Sequence, residues 1–208
     1  MGIVLYVVLD ALAQLLPPHY SPISQAESDL AVGKYGFLMT INFVNRGILS
    51  LAFVFAFLRT LDSLEIPRSR FRAGTSLLLV WAVGALLLAL FPTDVPATPV
   101  SWHGAIHLVV ALIAFIGGAF GTLAISIGLE QPKDFQEMRH VALPLSILTL
   151  VLWIAEGATF AVSHLNSQVG GLIERLFLGS VLLWIGVMSY YLATRTLHSK
   201  TLVKREAR

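Results

Sequence analysis

Apolar stretches long enough to cross a bilayer recur along this chain, and nothing constrains its fold more. A spanning helix needs about 20 predominantly apolar residues, because the hydrocarbon core is about 30 Å thick. Such runs are expected at 36–59, 73–91, 101–129, 141–163 and 172–194, after a shorter first run at 2–16 that Asp10 interrupts. Only 12% of the 208 residues are charged, about half the share of a soluble domain, which excludes a water-soluble globular fold. Backbone groups in lipid have to bond internally, and runs of this length do so as helices. The expectation is an all-α, polytopic transmembrane helical bundle with six spans in one domain, residues 1–194, and a basic tail at 195–208. There is no cysteine, so disulfides, thiolate metal sites and thiol chemistry are excluded.

The first run ends at Pro17-Pro18, where a helix should stop. A signal peptide is the rival reading, since Ala11-Leu12-Ala13 resembles a cleavage site. No positive residue precedes the apolar run, however, and a retained first helix is the reading adopted. Residues 19–35 form a polar connection rich in Pro, Ser and acids. In the fourth run, Gly117, Gly118 and Gly121 make a small-xxx-small face that lets helices approach closely, within the chain or with a partner membrane protein. A short turn is expected at Asn166–Gly171, between the fifth and sixth runs.

Orientation follows from lysine and arginine, which concentrate in cytoplasmic loops. Arg59, Arg68, Arg70 and Arg72 lie between the second and third runs, and Lys133 and Arg139 between the fourth and fifth. The tail holds Arg195, Lys200, Lys204, Arg205 and Arg208, whereas the alternate loops offer only Lys34. Both termini are thereby expected in the cytoplasm of a multi-pass protein of the cell (cytoplasmic) membrane. The basic loops read as topology and attraction to anionic lipid heads, not as a nucleic-acid surface.

This topology fixes the depth of the polar residues within the spans, at about 1.5 Å per helical residue. Asn42 and Arg46 fall roughly one and a half to three turns below the outer end of the second span, and Glu156 about two turns below that of the fifth. His103 and His107 open the fourth span, Glu174 and Arg175 open the sixth, and Asp29, Asp94 and His164 lie in or beside outer loops. Charged groups at such depth are costly and generally face a bundle interior or a wet cavity. An outward-facing polar pocket is therefore expected, built from Ser28, Asp29, Asn42, Arg46, Glu156, Glu174 and Arg175. Arg46 with Glu156 or Glu174 also reads as an intramembrane ion pair that fixes helix register.

Asp94, His103 and His107 are candidate metal ligands, because histidines at i and i+4 project on one face of a helix. Gly104 stands where a metalloprotease pattern would carry Glu, and the same spacing arises when histidines simply bond at the wet end of a helix. Haem would need His103 or His107 to face His164 or His19 across a pocket, and no attachment motif is present. Ser28-Asp29 with His103 lacks any nucleophile-elbow sequence and reads more simply as a helix cap or turn.

SDLAVGKYGFLM (Ser28–Met39), FPTD (Phe91–Asp94) and WHGAIH (Trp102–His107) resemble a family of prokaryotic six-helix membrane proteins, domain of unknown function 998. The resemblance covers nearly the whole chain. It implies family positions at Ser28, Asp29, Asn42, Asp94, His103 and His107, and it supplies no reaction. The short N-terminus departs from the family pattern and trims the first helix.

Three functions remain open on the sequence. The first is a non-enzymatic membrane protein whose outward-facing polar pocket binds a lipid or small molecule, or which serves as a membrane subunit of a larger complex. The second is a metal-assisted intramembrane hydrolase acting on lipid at the outer leaflet, with zinc on Asp94, His103 and His107 and with Glu156 or Glu174 as the catalytic base. The third is a haem-binding electron carrier. The topology is tested with single cysteines in this cysteine-free chain. Cysteines at Asp94 and Ser167 should react with a membrane-impermeant reagent in intact cells while one at Ser69 does not, and the opposite labelling overturns the orientation.

Overall fold

The computed structural model describes residues 1–95, 98–130 and 135–206, with side chains as far as Thr194. Lys133 and the side chains of the tail's basic residues lie outside the described residues. Six α-helices follow one another among the described residues: α1 (Gly2–Gln14), α2 (Gly36–Ser63), α3 (Arg72–Leu90), α4 (Trp102–Gly128), α5 (Gln136–Ala161) and α6 (Ser163–Glu206). Short 3-10 turns at Glu27–Ala31 and Arg68–Phe71 precede α2 and α3. No strand occurs among the described residues. α2 to α6 are long and apolar enough to cross a membrane. α1 has 13 residues, which is about 20 Å of helix and short of a full crossing.

Each helix packs against its neighbours in sequence, α3 on α4 and α5 on α6 most extensively, and α6 also reaches α2 and α4. Bundles in lipid hold together by close packing and interhelical hydrogen bonds, because lipid tails are as apolar as the side chains they would displace. The glycine face of α4 works in this way. A Cβ on Gly117 would lie 2.6 Å from the Leu77 carbonyl oxygen of α3, and one on Gly118 2.8 Å from the Trp81 ring. The small residues read from the sequence thus seat α4 on α3.

Aromatic side chains fill the remaining core. Phe57 meets Phe71 edge-on at 5.1 Å, and Phe53 meets Trp184 at 5.5 Å. Both buried tryptophans direct the indole N–H to a helix partner, as buried indoles generally do. Trp81 Nε1 donates to Ser50 Oγ (3.1 Å), and Trp184 Nε1 donates to Ser126 Oγ (2.9 Å). These bonds tie α3 to α2 and α6 to α4.

The expected turn at Asn166–Gly171 is instead helix. α5 ends at Ala161, Val162 is extended, and α6 begins at Ser163. Gly171, within this stretch, serves packing. A Cβ on Gly171 would collide with the Gln25 carbonyl oxygen, so glycine lets the 15–35 connection lie directly on α6.

Candidate functional site

That contact begins the site. Leu172 N–H donates to the Ile23 carbonyl (2.9 Å), and Arg175 one turn further along α6 reaches the carbonyls of Pro22 and Gln25 (3.0 Å each). Arg175 also bonds the Tyr20 hydroxyl and lies 3.8 Å from Asp10 of α1. Gln14 donates to the same Asp10 carboxylate at 2.6 Å. Tyr20 in turn donates to the Ala26 carbonyl (2.8 Å), closing the connection on itself. Gly33 adopts φ +83°, a left-handed conformation that favours glycine, where the chain turns into α2. Burial pushes the Tyr20 phenol well above its ordinary range.

So clamped, the connection drives Glu27 into the interior, where it is 1% exposed. Tyr6 Oη of α1 lies 2.7 and 2.6 Å from the two Glu27 carboxyl oxygens. The Glu27 backbone N–H donates to Glu174 Oε2 of α6 (2.9 Å). Asn42 of α2 donates to the Tyr6 carbonyl (3.2 Å), and Asn45 donates to that of Gly2 (2.9 Å). α1 therefore runs beside only the first half of α2. Burial holds the Glu27 carboxyl above the ordinary carboxylate range, and the Arg46 charge offsets this only in part.

Arg46, 1% exposed, makes no ion pair among the described residues. Its guanidinium lies over the rings of Phe43 (5.2 Å) and Trp81 (4.9 Å), a cation–π arrangement between α2 and α3. The expected pairing of Arg46 with Glu156 or Glu174 is not formed. Glu174 accepts from Glu27, and the carboxylate beside Arg175 belongs to Asp10. Asn42 Oδ1, Arg46 Nε, Asp10 Oδ1, Arg175 Nε and Glu156 Oε2 are buried atoms without a hydrogen-bond partner among the described residues.

Asn42, Arg46, Glu174 and Arg175 of the expected pocket thus border one buried cluster among α1, α2, α6 and the connection. Glu156 is half-buried on α5 and reaches this group only through the electrostatic field of Glu174. Ser28 and Asp29 occupy the 3-10 turn, half-buried, and burial raises the Asp29 carboxyl. Their neighbour Glu27 is the residue that enters, joined by Tyr6, Asp10 and Tyr20.

Asp94, His103 and His107 form a second group with a different logic. Asp94 accepts from Ser101 Oγ–H (2.6 Å) and Ser101 N–H (2.8 Å), and Ser101 Oγ accepts from Gly104 N–H (3.1 Å). This is an extended N-cap, satisfying donors left open in the first turn of α4. The two histidines diverge in environment: His103 is exposed, and His107 is 2% exposed. A carbonyl can only accept, so His107 Nδ1 carries the hydrogen it gives to the Phe91 carbonyl (2.8 Å). Among the described residues no three His, Asp or Glu side chains gather as a metal-binding group.

Together these features define a multi-pass helical membrane protein, in contact with the bilayer, that carries one buried polar cluster beside its first helix. The chain belongs to the family described as "Protein of unknown function (DUF998)", whose model matches residues 1–191. No curated protein and no solved structure matches it.

The cap of α4 has a measurable signature. The two Ser101 hydrogen bonds hold the Asp94 carboxyl below its ordinary value. A depressed folded-state pKa contributes stability that is complete above the unfolded value, about 3.9, and is lost as the pH falls through the folded one. Ser101→Ala removes the hydroxyl bond but keeps the backbone one, and should cost about 1 kcal/mol at neutral pH and weaken that acid-side dependence. Thermal unfolding in detergent across acidic pH reads both effects, and an unchanged midpoint contradicts the cap.

Proposed function

We propose that this chain is a lipid-binding protein of the cytoplasmic membrane, with α1 as a short sixth span over which the bilayer thins, both termini in the cytoplasm, one domain over 1–194 and a basic cytoplasmic tail at 195–208. One observation carries the reading: Tyr6 belongs at once to the polar cluster and to an apolar groove. The groove, of about 630 Å³, runs between α1 and α6, where Ile3, Tyr6 and Val7 face Gly179, Leu183 and Gly186. Its occupant would keep a chain among apolar side chains and a polar end towards Tyr6, behind which Glu27 is buried.

Energetics favour this division of labour. An acyl chain gains little by leaving bilayer for groove, since both surroundings are equally apolar. Selectivity then rests on the polar end, where an unmatched polar group in low dielectric is penalised. The acyl chain needs no rearrangement of the groove's side chains. Metal-assisted hydrolysis would need Asp94 to leave Ser101 and the two histidines to converge, and haem ligation needs a comparable convergence.

Gly179 offers the test, because nothing lies within 4 Å of a Cβ built there. Gly179→Phe should fill the groove while leaving the core in place. Native mass spectrometry of the detergent-purified protein should then show co-purified lipid reduced severalfold. Gly157→Phe, at an equally open position on α5, should retain the parent level. Equal lipid in both variants and the parent contradicts the proposal.

A further inference from the structure

We propose that Glu27 binds a proton at neutral pH and that its carboxylic acid is a latch holding the 19–31 segment against α1, α2 and α6. The inference stands on the geometry of the latch and not on the lipid reading. Tyr6 Oη makes two short contacts, 2.7 and 2.6 Å, with the two Glu27 oxygens. A phenol carries one hydrogen. It donates to one carboxyl oxygen, and the second contact is complete when the other oxygen carries a hydrogen and donates back.

The surroundings agree with a neutral acid. The groups facing Glu27 are Tyr6 and Asp10 on α1, Arg46 on α2, and Glu174 and Arg175 on α6, with half-buried Glu156 of α5 facing Glu174. Neither arginine comes within ion-pair distance of Glu27, and the only carboxylate so near an arginine here is Asp10, at 3.8 Å from Arg175. The α6 group it touches is the Glu174 carboxyl, which takes the Glu27 backbone N–H. With all three inner carboxyls ionised, Asp10, Glu27 and Glu174 outnumber Arg46 and Arg175. One proton on the cluster balances the inner charges two against two, and the paired Tyr6 contacts place it on Glu27. An ionised carboxylate buried without a paired cation is strongly disfavoured. Loss of the proton therefore expels Glu27, and the turn Glu27–Ala31 moves with it. Asn42 Oδ1 and Arg46 Nε, both buried and without partners, then become accessible beneath it.

The full chain in lipid nanodiscs tests this with two readouts. Infrared difference spectra at neutral pH should contain a protonated-carboxyl band that Glu27→Gln removes and Tyr6→Phe shifts. Hydrogen–deuterium exchange of the 19–31 segment, corrected for intrinsic base catalysis, should accelerate tenfold or more at the alkaline pH where that band disappears. Glu27→Gln keeps a neutral donor towards Tyr6, so its segment should stay protected at the same alkaline pH. The proposal is overturned by a neutral-pH spectrum without a Glu27-dependent band. It is equally overturned if the segment opens alike in parent and Glu27→Gln, or if the parent's band titrates without loss of protection. Should Glu27→Gln not fold, Tyr6→Phe with an unshifted band overturns it alone.

Discussion

The structure turns on the seating of the 15–35 connection against α6, and Arg175 is its centre. A guanidinium at the head of a membrane span is costly unless its hydrogens are used and its charge is matched. Carbonyls of the connection and the Tyr20 hydroxyl take the hydrogens of its two terminal nitrogens, and Asp10 matches its charge. Gly171 makes the approach sterically feasible. With the connection seated, Glu27 has nowhere to go but inward, and α1 is held to α2 and α6 through Tyr6. A helix too short to cross a bilayer alone is thus retained by polar contacts at one end.

The remainder of the bundle is held differently. α3 and α4 approach through glycines, and aromatic rings fill the space around Trp81 and Trp184. Arg46 joins the two regimes, facing the Glu27 cluster on one side and stacking on Phe43 and Trp81 on the other. The boundary between the regimes is where the groove meets the cluster, at Tyr6.

Much of this was legible in the sequence, for physical reasons. Span length and hydropathy located α2, α3 and α4 closely, because lipid permits few alternatives to a helix. Asn42, Arg46, Glu174 and Arg175 stood out as ionisable or polar groups in apolar runs, and the fold gathers them. Glu27 did not stand out, since a glutamate in a polar connection ordinarily meets water. Only tertiary contacts, 21 residues away to Tyr6 and 147 away to Glu174, reveal its burial. The Asn166–Gly171 stretch, expected as a turn, is helix, and the sequence does not carry the identity of the Gln25 backbone that approaches Gly171. The Asp94–His107 stretch resembled a ligand set by spacing, whereas hydrogen bonding assigns Asp94 to the cap of α4 and His107 to the Phe91 carbonyl.

The seating of the connection on α6 is the central claim, and a disulfide tests it directly. Ile23 and Leu172 are joined by a backbone hydrogen bond and both are exposed, in a chain with no other cysteine to compete. Ile23→Cys/Leu172→Cys should cross-link under mild oxidation in native membranes, converting the reduced form almost completely to a faster-migrating species on a non-reducing gel. A pair that stays reduced, with the cysteine at position 23 freely alkylated, would contradict the account.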